Sequence, residues 1–156
     1  MADFITKCQS VTYRPAHVEE PELIKAIMDS DCVLLPSHRV HVHSILFPFS
    51  LGKPVIGSDG WGVDEYIIDG INGYRVKGIY GVTSWRDDLM REDYSKWPDT
   101  MPSVDELACR MTILADEPEK IKSLSRAAHD YVNDVHPISR TKRMVKDVFE
   151  KAVYTK

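Results

Sequence analysis

The chain has 156 residues, 43 % of them hydrophobic and 28 % charged, which suits one globular domain with a core of its own. With a formal net charge of −4, the basic footprint of a nucleic-acid-binding protein is not expected. Cys8, Cys32 and Cys109 are too few and too scattered for a disulfide framework or a zinc pattern, so the expected setting is reducing and cytoplasmic.

The first β-prone run is Val11-Thr12-Tyr13, closed by Pro15. Pro21, at a first helical position, opens PELIKAIMDS, in which Leu23, Ile24, Ile27 and Met28 make one apolar stripe. Asp31 introduces Cys32-Val33-Leu34-Leu35, a continuous apolar run that suits a strand covered on both faces. A loop from Ser37 to Ser44 then feeds a helix expected to begin near Ser44. Its Ile45–Phe49 segment is the longest apolar run and is far too short to cross a bilayer. No secretory leader pattern is present, and no transmembrane segment is expected, although peripheral attachment to a membrane through a partner is compatible with the sequence.

Val55-Ile56 is the next strand, followed by the helix-like VDEYIIDG and the β-prone Tyr74-Arg75-Val76. Alternating strands and helices over residues 11–76 predict an α/β core: a Rossmann-like, mainly parallel sheet with helices on both faces and right-handed crossovers. From Lys77 to Pro102 the periodicity stops. This inserted loop carries Tyr80, Trp85, Tyr94 and Trp97, which argue against plain disorder. It is either a functional loop or one folded over a sheet edge by its own aromatics.

Residues 103–156 form a helical C-terminal third. Ser103-Val104-Asp105-Glu106 reads as a capping box, with Val104, Leu107, Met111 and Leu114 as the buried stripe. Pro118 starts a helix carrying Ile121, Leu124, Ala128 and Tyr131. Beyond Pro137 a last helix, from about Ser139, sets Val145, Val148, Phe149 and Ala152 on one side.

Four short pieces occur in a fixed order: Pro36-Ser37, Gly52-Lys53-Pro54-Val55-Ile56, Gly60-Trp61-Gly62-Val63-Asp64-Glu65 and Asp69-Gly70-Ile71-Asn72-Gly73. Together they resemble the nucleotide-sugar-binding half of the group 1 retaining glycosyltransferases. That family has two Rossmann-like domains (the GT-B fold), and in it the last piece is a hairpin before one more strand. The resemblance runs from roughly Val11 to the C-terminus. It implies a single partial C-terminal GT-B domain, because the first two strand–helix units and the whole acceptor domain have no counterpart. The expectation is a fragment of a longer enzyme, or a chain whose sheet is completed by an acceptor domain, a partner chain or a second copy. A sheet without its middle exposes edges that proteins normally cover.

Ligands of doubly wound sheets bind outside the carboxyl ends of the strands. The resemblance places a nucleotide diphosphate sugar against Ser37, His38, His43 and Ser44 in the first loop, with the His43 and Ser44 amides facing its phosphates. In the second loop it points to Gly60, Trp61, Gly62 and Glu65. Read alone, Gly60-x-Gly62 is most often a simple turn, and Glu65 is equally a carboxylate favoured at the start of a helix. The donor is a substrate, and no separate cofactor is expected.

The family carries two glutamates seven residues apart near the transferred sugar and the ribose. Counted back from Gly52, those positions hold Arg39 and Phe47, neither of which can accept a hydrogen bond through its side chain. Pro48 is expected to disturb the first helical turn. His38, His41 and His43 could suggest a metal, the last two on one side of an extended strand, but no carboxylate or cysteine completes a set nearby and none is assigned. No catalytic residue is assigned either. Three functions follow: the donor half of a hexosyltransferase, inactive alone; a non-catalytic sugar-nucleotide-binding or assembly subunit; and, least supported, a response-regulator-like or flavodoxin-like module, which lacks its early acidic cluster.

Overall fold

A computed structural model of the chain describes residue 12 and residues 18–37, 40–60, 62–77 and 102–154. The run Val11–Tyr13, apart from Thr12, and the aromatic-rich stretch 78–101 lie outside the described residues, as do Cys8, His38, Arg39 and Trp61. In order come α1 (Glu20–Met28), β1 (Val33–Leu35), α2 (Val42–Ser50), β2 (Val55–Asp59), a 3-10 turn (Val63–Glu65), β3 (Gly73–Lys77), α3 (Pro102–Asp116), α4 (Pro118–Val135) and α5 (Ile138–Tyr154).

The three strands form one parallel sheet in the order β1-β2-β3, with Val33 opposite Val55 and Val55 opposite Gly73. The fold is a small Rossmann-like α/β arrangement. Because side chains alternate along a strand, the sheet has two distinct faces. On one, Val33, Leu35 and Val55 meet Ile45 and Phe49 of α2. On the other, Leu34, Ile56, Tyr74 and Val76 meet Leu107 and Leu114 of α3. Helix α4 serves both faces: Leu124 is buried in the second cluster and Ala128 in the first. Fully burying an aromatic or branched side chain such as Phe49 or Ile56 contributes about 1.5–3 kcal/mol, so the two clusters dominate the stability of the sheet.

Several local details differ from the sequence expectation. Helix α2 begins at Val42, not near Ser44, and Pro48 is its seventh residue. The proline therefore removes a donor from the last turn, where the chain is already leaving the helix, and the first turn is intact. His41 and His43 occupy the cap and first turn of α2 rather than an extended strand. The segment after Gly62 is a 3-10 turn of three residues, not a full helix.

Asp69–Gly73 is a turn between parallel strands, not a hairpin. Gly70 takes φ 73° and its N–H donates to the Gly73 carbonyl at 2.8 Å. Buried Asn72 ties the turn down: its Oδ1 accepts from the Ile68 N–H at 2.8 Å and its Nδ2 donates to the Tyr66 carbonyl at 3.0 Å. Asp69 Oδ1 accepts from the Arg75 N–H at 2.8 Å.

α3 starts at Pro102, which places Ser103 inside the helix rather than at its cap, and the Glu106 carboxylate accepts from the Lys77 N–H at 2.7 Å. The buried stripe of α3 is also rotated from the expected one. Leu107 and Leu114 pack inward, whereas Val104 and Met111 are exposed. Between them Arg110 lies 4.8 Å above the Tyr74 ring, a cation–π contact on the side where an apolar residue was expected.

Candidate functional site

The carboxyl ends of β1 and β2 open into two loops that face each other across a pocket of about 280 Å³. Val40, Val42 and Ile45 form one wall, and Val63 and Tyr66 the opposite wall, with Gly62 between them. The polar groups at its rim are His41 and Glu65. The sheet dictates this position: β1 delivers the chain to the first loop, β2 to the second, and α2 returns between them over the same face.

Each loop is held by its own hydrogen bonds. In the first, the Ser37 N–H donates to the Leu35 carbonyl at 2.8 Å. His41 precedes α2 with extended backbone, and its ring Nδ1 accepts from the His43 N–H at 3.2 Å. The Ser44 N–H donates to the His41 carbonyl at 2.9 Å. Both amides expected to face a diphosphate are therefore engaged within the loop, and a histidine ring stands where an anion would sit. An imidazole nitrogen that accepts this bond is unprotonated, which puts the proton of the neutral ring on Nε2. His43 itself stacks on Phe47 one turn along, with ring centroids 5.5 Å apart.

In the second loop, buried Gly60 donates to the Ser58 carbonyl at 2.9 Å and accepts from the Val63 N–H at 3.2 Å. Gly62 has φ 77°, a left-handed conformation that a side chain would strain, and open space around it. Glu65, exposed at the end of the 3-10 turn, has its carbonyl fixed from a distance by the Tyr131 hydroxyl, which donates at 2.6 Å. Tyr131 meets Phe49 edge-on at 6.2 Å and His136 at 5.8 Å, and His136 stacks on Tyr66 at 6.1 Å. Burial pushes the Tyr131 hydroxyl above its usual range, with Tyr66 and Glu65 adding to the effect.

Neither a protein-family model nor a curated protein matches this chain. Of the residues singled out in the sequence, His41, Gly62 and Glu65 line the pocket, and Ser37, His43, Ser44 and Gly60 belong to the loops that form it. His38 and Trp61 lie outside the described residues. Among the described residues no three His, Cys, Asp or Glu side chains gather as a metal site.

Sequence reasoning missed Tyr66 and Tyr131 as parts of the site, and weighed His41 only as one of three loop histidines without assigning it. His41 carried a signal, since it stands directly before the first helical residue, but histidine is not among the favoured N-caps. Tyr131 sat on an apolar stripe, and a buried tyrosine hydroxyl implies a partner somewhere. That partner, Glu65, is remote in sequence and visible only in the fold.

The pocket is mostly apolar, with one hydrogen-bonding ring and one carboxylate on its rim. Such a surface can stack or cover a small ring and orient its hydroxyls. With both nearby amides engaged, the described residues add no strong fixed positive charge for an anion.

Proposed function

We propose that the chain is the donor-side domain of a glycosyltransferase, binding the sugar or nucleoside part of a nucleotide diphosphate sugar in the pocket between the two loops. The observation that carries this reading is the pocket itself. It lies at the carboxyl ends of adjacent parallel strands, the position where doubly wound sheets take ligands, and Gly62, Val63 and Glu65 of its lining belong to one of the four ordered pieces that resemble the group 1 family. Transfer would move the sugar from the diphosphate to an acceptor hydroxyl held by a second domain or chain. Proximity and orientation of two substrates supply several kcal/mol of barrier reduction, and half a cleft holds only one of them.

A second reading has its own support. Phe47 stacks on His43, and His41 caps the amide that a diphosphate would use. With Arg39 and Phe47 at the family's glutamate positions, a non-catalytic subunit that binds or assembles through the same domain fits these residues. Calorimetry with nucleoside diphosphates and their sugar conjugates tests binding, with weak affinity expected. A radiolabelled-donor assay separates the two readings: turnover only when an acceptor-domain partner is added favours the enzyme half, and binding without turnover favours the subunit. Loss of affinity in Gly62→Val ties binding to this pocket. No binding of any donor would end the donor-domain reading and leave the second only as assembly.

A further inference from the structure

We propose that α5 is an interfacial helix that seats the chain on an anionic membrane surface. Ile138, Met144, Val145, Val148 and Phe149 are each at least half exposed, reaching 72 % for Ile138 and 67 % for Phe149. Among the described residues α5 shares no extensive contact with another element. At 3.6 residues per turn these five side chains fall within an arc of about 140° on one side of the helix.

The charges are arranged around that arc. Lys142 and Lys146 flank one margin, Arg140 and Lys151 lie beyond the other, and Glu150 and Asp147 stand on the far side, with Lys146 and Glu150 paired at 3.6 Å. Five cationic side chains, Arg143 being the fifth, thus accompany two carboxylates in a chain whose formal net charge is −4. Lysine and arginine lay their aliphatic stems along an apolar surface and lift their charges to its edge. Arg143 stands on the far side among the carboxylates, but the other four cations border the apolar face, and this complements a surface that is apolar within and anionic at its rim, as a bilayer with acidic headgroups is.

A second copy of the helix complements it poorly, because pairing two such faces sets cationic margins against each other. Helix α5 spans about 25 Å, and no described helix is long and apolar enough to cross a membrane, so it would lie in the plane of the interface. This proposal is independent of the donor-site reading, since α5 contributes nothing to the pocket.

Co-sedimentation of the full chain with vesicles tests it. Binding is expected to vesicles of mixed phosphatidylserine and phosphatidylcholine, to weaken as salt rises, and to be absent from pure phosphatidylcholine. Val148→Asp should abolish it. Lys142→Gln with Lys146→Gln should weaken it about 25-fold, at about fivefold per charge. Phe149→Trp should add a blue-shifted emission on anionic vesicles relative to the parent chain. The mutated side chains are exposed, so far-UV circular dichroism of each variant should match the parent. No binding to anionic vesicles, or binding that Val148→Asp leaves intact, overturns the proposal. Self-association that Val148→Asp abolishes, without vesicle binding, also overturns it and assigns the face to a second copy.

Discussion

A Cβ placed on Gly73 would stand 2.3 Å from the carbonyl oxygen of Val55, its neighbour across the sheet. That oxygen is backbone and cannot turn aside, so a side chain here forces β2 and β3 apart. Gly73→Ala should therefore cost about 3 kcal/mol in urea unfolding, as overpacking does. Gly70 presents a different problem: its φ is 73° and the space around it is open. Gly70→Ala should cost only about 1–2 kcal/mol, the strain of a left-handed alanine. A larger loss at Gly70 than at Gly73 would show that the sheet yields more easily than the turn. The cysteines differ in a related way. Burial, and then Asp31, push the Cys32 thiol above its usual range, while Cys109 is exposed. Because the thiolate is the reactive form, iodoacetamide near neutral pH should modify Cys109 well before Cys32, as peptide mass spectrometry would read.

Between elements, the Tyr131–Glu65 bond joins α4 to the turn behind the pocket. Tyr131→Phe keeps the ring and removes the donor, so a loss of about 1 kcal/mol is expected. The same residue sets an alkaline limit. Its hydroxyl titrates higher in the folded chain than its ordinary value of 10.0, so the folded state favours the protonated form. That contribution is complete below about pH 10 and fades as pH rises through the raised folded value. Stability measured from pH 8 to 11 should fall less in Tyr131→Phe than in the parent. Tyr74, also raised by burial, should retain part of the decline.

Legibility in the sequence followed how local each cause is. Continuous apolar runs marked β1 and the start of β2, and the stripe of α4 placed Leu124 and Ala128 inward as observed. Beyond Ile56, β2 continues through Gly57-Ser58-Asp59, polar or small residues that are strand only because β3 pairs with them. Helix α3 was rotated because Arg110 takes its place over Tyr74, a choice made by tertiary contact. Both loops of the site were legible from their place after strands, and the second also from its glycines. Their internal bonds were not, since His41 capping and the Tyr131 contact depend on where the folded backbone brings them.

For the whole molecule, exposure of α5 implies that the sheet does not rely on it. Removing residues 138–156 should leave the urea midpoint nearly unchanged, within about 0.5 kcal/mol, as for surface changes generally. A large loss would reveal contacts that hold the helix to the rest of the chain. Helix α4 stands in the opposite position. It closes both faces of the sheet, yet it is made after every described strand. During synthesis residues 33–77 leave the ribosome while neither apolar face has its last cover. Nascent chains arrested before α4 emerges should be cut readily by protease, and those arrested once it is free should resist. The interval between the two is a window in which this chain is open to chaperones and to unwanted partners.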